Sequence, residues 1–276
     1  MALLTFYLVY PAVNTIIISF QDKDSEAFVG LDNYQRIFTE SKYLISMRNS
    51  LVWVILVPLL AVGIGLAFAT MADKLGRRTE SIMKSLIFLP MAISFVGASV
   101  VWTFVYSFRP EGFGNQIGVL NGIWTGLGGR PVNWLQTAPW NNLFLMIILV
   151  WLQTGFSMVI LSSAIKGVPE VLLEAARIDG ASEWQAFRKI TLPSISSTLV
   201  VVWTTVLITV WKVFDIVFVM TGGLFDTQVI AQSMVEEFFT NFNYGMGAAL
   251  AVLLFIAVIP VLIINVQRFR EQEATR

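Results

Sequence analysis

The chain has 276 residues, of which 56% are hydrophobic and 13% charged, and its formal net charge is zero. This composition, with a mean hydropathy of +0.73, is too apolar for a soluble domain of that length. The chain contains neither cysteine nor histidine, which excludes disulfides, thiolate or imidazole metal ligands and His-dependent catalysis. The neutral balance gives no indication of nucleic-acid binding. The dipeptide Gly-Lys is absent, so the chain lacks a Walker A loop for ATP.

Long apolar runs dominate the chain. A bilayer core about 30 Å thick requires roughly 20 mainly apolar residues in a helix. Six such runs predict an all-α membrane protein with a single domain over residues 1–276. The predicted spans are residues 1–20, 51–72, 86–108, 143–165, 198–220 and 247–267. The first run lacks a basic region and a cleavage site, so we expect a membrane span and not a cleaved signal.

The distribution of Lys and Arg predicts the orientation. Three segments on one side of the spans carry 11 basic residues, whereas the opposite side carries 6. The positive-inside rule then places both termini in the cytoplasm. In the first predicted outer loop, residues 30–38 (GLDNYQRIF) form a short amphipathic pattern that we expect to lie as a helix on the membrane surface.

The longest predicted cytoplasmic loop, residues 166–197, contains two short helical patterns. Pro169 suits the first helical position, and Gly180 is a natural C-terminal stop because glycine adopts positive φ cheaply. Ser182 and Gln185 form a capping box for the second helix, which we expect to end at Pro193. Each helix has an apolar stripe, formed by Val171, Leu172, Ala175 and Ile178 in the first and by Trp184, Phe187 and Ile190 in the second.

The charges of this loop indicate what it packs against. Helices that lie on lipid are usually rich in Lys and Arg on their polar face. Here four acidic residues balance four basic ones. We call the two predicted helices joined at Gly180 the elbow. A neutral loop with an amphipathic elbow favours a groove on a soluble protein over an anionic lipid surface, although lipid remains the alternative.

The spacing of the loop is also that of a known motif. Glu-Ala-Ala at 174–176, Gly180 and Ile-x-Leu-Pro at 190–193 resemble the EAA loop of permease subunits of bacterial and archaeal ABC importers. GLDNYQRIF, KVFDIVFVMTGG (212–223) and NYGMGAALAVLLF (243–255) are similar to the carbohydrate branch of that family. One departure is Leu224-Phe225, where the family often continues with Gly-Pro.

The resemblance implies six membrane helices, with a helix-turn-helix coupling loop between spans four and five that docks on a separate ATPase. The residues it assigns to this contact are Leu172, Glu174, Ala175, Ala176, Asp179 and Gly180. The implied partners are a second permease, a dimer of ATP-binding subunits, an extracytoplasmic sugar-binding protein, the sugar itself and membrane lipid. ATP and Mg would be held by the partner ATPase, and this chain would bind no cofactor and catalyse no reaction. The implied location is the bacterial or archaeal cytoplasmic membrane.

Polar and charged residues inside the spans are candidates for the substrate path, because ionisable groups there are costly. Lys212 and Asp215 lie three residues apart in the predicted fifth span, where one helix side would hold both. The alternative to a role in the path is that the pair only stabilises the helix bundle or contacts a neighbouring permease. The resemblance places the path near these residues and a stretch of the fourth span. The candidates are Trp151, Gln153, Thr154, Phe156, Ser157, Thr209, Trp211, Lys212 and Asp215.

Three alternatives remain open. A self-contained secondary transporter would need coupling-ion sites and usually internal repeats, and no repeat is evident. A membrane enzyme would need a cluster of acids or metal ligands at the membrane surface. An importer for a non-sugar solute such as a polyamine or phosphate would need a more strongly charged path than one Lys-Asp pair.

Overall fold

The computed structural model describes the backbone of residues 5–274 and the side chains of residues 5–263. This part of the chain is mostly helical and forms no β-strand, apart from an isolated bridge between Gln21 and Phe28. A π-helical turn over Thr5–Val9 leads into the first helix. The helices are α1 (Tyr10–Ile18), α2 (Asp32–Thr39), α3 (Ser41–Asp73), α4 (Arg77–Phe88), α5 (Phe95–Val105), α6 (Val119–Gly126), α7 (Asn141–Lys166), α8 (Glu170–Ile178), α9 (Glu183–Ala186), α10 (Ser196–Trp211), α11 (Asp215–Thr221), α12 (Ile230–Phe239) and α13 (Tyr244–Ala274).

Among the described residues, α3, α7 and α13 are individually long and apolar enough to cross a membrane. They contain the predicted spans 51–72, 143–165 and 247–267. The number rises to five if two bent helix pairs each count as one span. The first pair is α4 with α5, joined through a 3₁₀ turn at Leu89–Ala92. The second joins α10 to the helical run 183–194. Residues 5–18 of the predicted first span form a shorter apolar helix, and residues 1–4 lie outside the described part.

The predicted fifth span, residues 198–220, is wrong as a continuous helix. α10 ends at Trp211 and α11 begins at Asp215, so Lys212 lies in the break between them. A carboxylate in the first turn of a helix is stabilised by the positive end of the helix dipole. Asp215 therefore favours the start of a new helix over a place in the middle of a long one.

The chain forms two compact units. The first comprises residues 1–54, 95–145 and 211–263, and the second comprises residues 55–94, 146–210 and 264–276. In the first unit, the fully buried Ile37 of α2 belongs to a core with Tyr43, Ile230, Met246, Ala249 and Leu250. The predicted helix over residues 30–38 is thus present. Ile37 packs inside the protein, whereas Phe38 of the same helix is exposed, and the position of the helix on the membrane surface stays a prediction.

A strained loop between α11 and α12 is held by amide side chains of the same unit. Phe225 and Asp226 have left-handed backbones, with φ of 59° and 58°. Non-glycine residues keep such conformations only where their surroundings fix them. Asn49 Nδ2 donates to the Asp226 carbonyl at 2.7 Å, and Asn141 Nδ2 donates to the Phe225 carbonyl at 2.6 Å. The departure from the family pattern at Leu224-Phe225 lies in this loop.

Glycines bring the helices of the second unit into close backbone contact. A Cβ atom added at Gly155 of α7 would lie 2.5 Å from the Ile87 carbonyl oxygen of α4. One added at Gly65 of α3 would lie 2.6 Å from Ser157 Cβ. Small residues of this kind let membrane helices approach closely where larger side chains would separate them. α7 is therefore packed tightly against both α3 and α4 within this unit.

Candidate functional site

The loop over residues 166–197 folds as the two helical segments that its sequence predicts. α8 covers Glu170–Ile178, so Pro169, which we expected at the first helical position, is instead the N-cap. Glu170 lies in the first turn and Arg177 in the last. Both charges have the sign that the helix dipole favours at their end. This segment therefore has the charge pattern of a stable helix.

The elbow after α8 is closed by two backbone hydrogen bonds. Gly180 has a φ of +80°, in the left-handed region that glycine adopts without strain. Its N–H donates to the Arg177 carbonyl at 3.1 Å, and the N–H of Ala181 donates to the Ala176 carbonyl at 2.9 Å. This pair of bonds is a Schellman motif, which satisfies the last carbonyls of a helix. The predicted stop at Gly180 is confirmed.

The second helix begins with the predicted capping box. The Ser182 N–H donates to Gln185 Oε1 at 2.8 Å, and the Gln185 N–H donates to Ser182 Oγ at 3.3 Å. Beyond α9, a π-helical turn over Phe187–Thr191 and a helical turn over Leu192–Ser194 continue the chain. Pro193 lies within this helical run. The run bends by 70° before α10, at Ile195 and not at the predicted Pro193.

α8 presents its apolar stripe to the outside, with no buried residue along its length. Ile178 is 86% exposed and Val171 is 72% exposed. On the second helix, Trp184 is exposed and stacks on Phe187, with ring centroids 5.6 Å apart. An exposed stripe of this kind on a short helix is typical of a surface that a partner covers.

The residues assigned to the ATPase contact lie on the same exposed helix and elbow. Leu172, Glu174, Ala175, Asp179 and Gly180 are exposed, and Ala176 is half-buried. Among the described residues, the carboxylate of Glu174 has no ion-pair partner. Its charge is therefore available to a group outside this chain.

Ion pairs connect the elbow to the end of α3 within the second unit. Glu183 accepts from Arg177 Nε at 3.1 Å and lies 3.8 Å from Lys74 Nζ. These charges line a pocket of about 600 Å³ between the elbow and the ends of α3 and α7. Exposed pairs of this kind contribute only about 0–1 kcal/mol each. They therefore contribute little to holding the elbow against the end of α3.

The substrate-path candidates on α7 divide into two groups. Thr154 and Ser157 are buried, and their hydroxyls donate to the carbonyls of Val150 and Gln153 on their own helix. Both lie where α3 approaches at Gly65, so packing accounts for them. Trp151, Gln153 and Phe156 are half-buried. These three keep the exposure that a path requires.

The remaining path candidates lie around the break after α10. Thr209 is half-buried and donates to the Thr205 carbonyl at 3.0 Å, while Trp211 packs against the core of the first unit. Lys212 is exposed and Asp215 is half-buried. The described residues include no ion pair between these two, and the prediction that one helix side holds both is wrong. The physical reason is the helix break, which leaves Lys212 outside the helix that begins at Asp215.

One group of charged residues was not recognised from the sequence. The Glu80 carboxylate of α4 contacts Lys84 of the same helix and Lys166 at the end of α7. The i, i+4 spacing of Glu80 and Lys84 is visible in the sequence. The third member lies 86 residues away in the chain, and nothing local indicates it.

Comparison with known proteins gives three consistent results. Residues 60–274 match the model of a family described as the inner membrane component of binding-protein-dependent transport systems. The osmoprotective compounds uptake permease protein GgtC of Synechocystis sp. is 53% identical over 273 residues, which are 99% of this chain and 97% of that protein. The alpha-glucoside transport system permease protein AglF of Rhizobium meliloti is 47% identical over 96% of this chain and 78% of its own length.

A more distant relative and a solved structure extend the comparison. The trehalose/maltose transport system permease protein MalF of Thermococcus litoralis is 30% identical over 96% of this chain and 89% of that protein. A chain of a bacterial ABC transporter involved in the import of alginate has the same fold, with a TM-score of 0.83. It is 21% identical and the match covers 98% of this chain and 92% of that chain.

Proposed function

Because the chain belongs to the family of inner membrane components of binding-protein-dependent transport systems, we propose that it forms half of the translocation path of an ATP-driven sugar importer. Its relatives AglF and MalF are named as permeases for alpha-glucosides and for trehalose or maltose. A di- or oligosaccharide is therefore the substrate class that we propose for this chain. The second permease subunit would supply the other half of the path.

The exposed stripe of α8 carries the proposal that this chain is coupled to an ATPase. The chain has no Walker A loop of its own, so the energy of ATP has to reach it through a contact with another subunit. Val171 and Ile178 lie uncovered in a loop, residues 166–197, whose charges balance, which suits a cleft on a protein. Glu174, without a partner in the described part of this chain, would face a basic group of the ATPase.

The mechanism follows from a docked elbow. ATP and Mg bound by the ATPase dimer close that dimer and displace the two short helices. The displacement turns the spans from an inward-facing to an outward-facing arrangement, an extracytoplasmic binding protein delivers the sugar, and hydrolysis resets the cycle. The elbow suits this task because local hydrogen bonds fix the turn between α8 and α9. We therefore expect the two helices to move as one piece.

The path itself would use the half-buried residues of α7. Gln153 has a side-chain amide that could bond a sugar hydroxyl, and Trp151 and Phe156 offer apolar ring faces for the sugar ring. Among the described residues, no side-chain hydrogen bond occupies the Gln153 amide. An amide without a hydrogen-bond partner inside a bilayer costs roughly several kcal/mol of free energy, so a polar ligand or water has to supply the partner. Lys212 and Asp215 belong to the first unit and stay separate candidates for the path.

The finer topology belongs to the same proposal. Six spans, with residues 1–20 as the first, would place both termini and the elbow in the cytoplasm, as the distribution of Lys and Arg favours. Each bent pair would count as one span. Membrane lipid would surround this bundle in a bacterial or archaeal cytoplasmic membrane.

A pull-down in detergent tests this proposal. The tagged chain is purified from its native cells and its partners are identified by mass, beside the double variant Glu174→Lys, Gly180→Asp. We expect an ATPase and a second permease with the wild type, and loss of the ATPase with the double variant. A chain that purifies alone would favour a self-contained secondary transporter instead. Stimulation of the ATPase by a panel of sugars then identifies the substrate.

A further inference from the structure

Glu80 is a buried carboxylate with two ammonium partners. Its residue is only 8% exposed, in the second unit of the fold. Lys84 Nζ contacts Oε1 from one turn further along α4, and Lys166 Nζ donates to Oε2 at 2.8 Å. Removing a carboxylate from water is costly unless it is paired and hydrogen-bonded. This group of three residues, which we call the Glu80 clasp, meets both conditions.

The second lysine is not required for neutrality. Lys84 lies at i+4 from Glu80, the spacing at which opposite charges on a helix pair, and it already balances the carboxylate. Lys166 adds a second positive charge to the clasp. Its contribution is therefore geometric: it adds a polar link between the N-terminal turn of α4 and the C-terminal end of α7, which Lys84 on α4 alone cannot provide.

The clasp joins two helix ends whose dipoles favour it. Glu80 lies in the first turn of α4, and Lys166 is the last residue of α7. Acids at a helix N-terminus and bases at a C-terminus are both stabilised by the partial charges of the backbone. The contact is thus favourable at each end as well as between the two side chains.

The position of the clasp relates it to the elbow. Lys166 is followed by Gly167, Val168 and Pro169, and Pro169 is the N-cap of α8. α4 also contacts α7 at a second point, where the Ile87 carbonyl packs closely against Gly155. α4 and α7 are therefore connected at two points along their length, and one of these points is the last residue before the elbow.

We propose that Glu80 and Lys166 are positioning residues that transmit displacement of the elbow to α4 as well as to α7. This inference rests on the proposed coupling role of residues 166–197. When the elbow moves, the Lys166 end of α7 moves with it, and the clasp makes α4 follow. Without the link, α4 would follow the elbow only through its packing against α7 at Gly155, and less sugar would cross for each ATP consumed.

Lys166→Gln is the informative variant, and Lys84→Gln is its matched control. Lys166→Gln removes the link but leaves Glu80 paired with Lys84, so the buried charge stays neutralised. Lys84→Gln removes one partner of the same carboxylate but preserves the link to α7. The two variants lose the same charge from the same cluster, and only the first removes the ionic link between α4 and α7.

The measurement uses the whole importer complex in proteoliposomes, with sugar uptake and ATP hydrolysis recorded on the same sample. For Lys166→Gln we expect an assembled complex whose uptake per ATP falls by about tenfold, within the range typical of coupling between sites. For Lys84→Gln we expect a ratio near that of the wild type. The double variant Glu80→Lys, Lys166→Glu should regain part of the ratio, because the swapped pair opposes both helix dipoles.

Equal ratios for Lys166→Gln and Lys84→Gln would overturn the positioning role. So would a proportional fall of uptake and hydrolysis in Lys166→Gln, because that result indicates a structural effect alone. A wild-type chain that assembles with no ATPase would contradict the proposed function itself, which separates the two failures. Co-purification of the ATPase with each variant is the check that assembly is intact.

Discussion

The N–H of Ala181 donates to the carbonyl of Ala176 at 2.9 Å, across Gly180, and this bond fixes the angle between α8 and α9. The bond requires the positive φ of the residue between the two helices. A docked elbow that transmits movement depends on that angle. The elbow is therefore the most direct place to test the coupling role.

Gly180→Ala should weaken coupling by straining the elbow. Beyond the neighbours in the chain, no atom of the described residues lies within 4 Å of a Cβ atom at this position, so the effect comes from the φ of +80°. The left-handed conformation costs an L-residue about 1–2 kcal/mol. We expect a lower uptake rate at an unchanged level of the chain in the membrane, and a milder loss with Gly180→Asn, because Asn tolerates this conformation better.

Gly76→Ala is the matched control for the elbow variant. Gly76 also has open space around its Cβ position, but its φ is −64°. Uptake should remain at the wild-type level. Equal losses in Gly76→Ala and Gly180→Ala would contradict the backbone explanation.

Ile178→Ser should weaken binding of the ATPase. Burial of an isoleucine side chain at an interface stabilises it by about 1.5–3 kcal/mol, and Ile178 is uncovered in the isolated chain. The expected result is a lower yield of co-purified ATPase with an unchanged yield of the chain. Leu127→Ser, which changes an equally exposed residue in a predicted outer segment, should leave the ATPase yield unchanged.

Glu237 and Glu236 form a matched pair for stability. Glu237 is 3% exposed and accepts from Lys42 Nζ at 2.6 Å and from the Tyr43 hydroxyl at 3.0 Å. Glu236 lies 3.5 Å from the same lysine, with its side chain 35% exposed. Glu237→Ala leaves the buried Tyr43 hydroxyl without this acceptor and should destabilise the first unit by about 1–3 kcal/mol, whereas Glu236→Ala should cost about 0–1 kcal/mol. Thermal unfolding in detergent measures both, and equal shifts would contradict the burial argument.

Substitution by alanine should change thermal stability in opposite directions at two helix glycines. Gly155→Ala would force a Cβ atom against the Ile87 carbonyl, and overpacking of this kind costs about 1–3 kcal/mol. Gly63 has no atom within 4 Å of a Cβ position, so Gly63→Ala should stabilise α3 by about 1 kcal/mol through helix propensity alone. A melting temperature that falls in both variants would contradict the prediction that a Cβ atom at position 63 meets no neighbouring atom.

Gln153→Leu and Thr154→Val separate path from packing on α7. Gln153 is half-buried, and no side-chain hydrogen bond within the described part of the chain occupies its amide, whereas the buried Thr154 hydroxyl is satisfied by the Val150 carbonyl. We expect Gln153→Leu to raise the KM for the transported sugar and Thr154→Val to change it little. A selective effect of Thr154→Val would place the path on the other side of the helix.

The elbow was predictable from sequence because its signals are local. Gly180 and the Ser182–Gln185 pair act within a few residues, and each forms the predicted hydrogen bonds. The break after Trp211 was missed because hydrophobicity continues through it, and only the charge of Asp215 marks the new helix. Lys166 could not be paired with Glu80 from sequence, because that contact depends on how α4 and α7 pack.

The buried position of Ile37 has a similar explanation. The amphipathic pattern of residues 30–38 predicts a helix with one apolar side, and α2 is that helix. The same pattern suits a lipid surface and a protein core. Only contacts from α3, α12 and α13, distant in the chain, identify the core as the environment of Ile37.

The central claim is that α8 docks on an ATPase, and cross-linking from Ile178 tests it most directly. The chain has no cysteine, so Ile178→Cys provides a unique attachment site for a maleimide–benzophenone label. After illumination of membranes that contain the whole complex, we predict a covalent product with the ATPase. The same label on a Leu127→Cys variant should give no such product. Products with lipid or with a second copy of this chain alone, and none with an ATPase, would contradict the account.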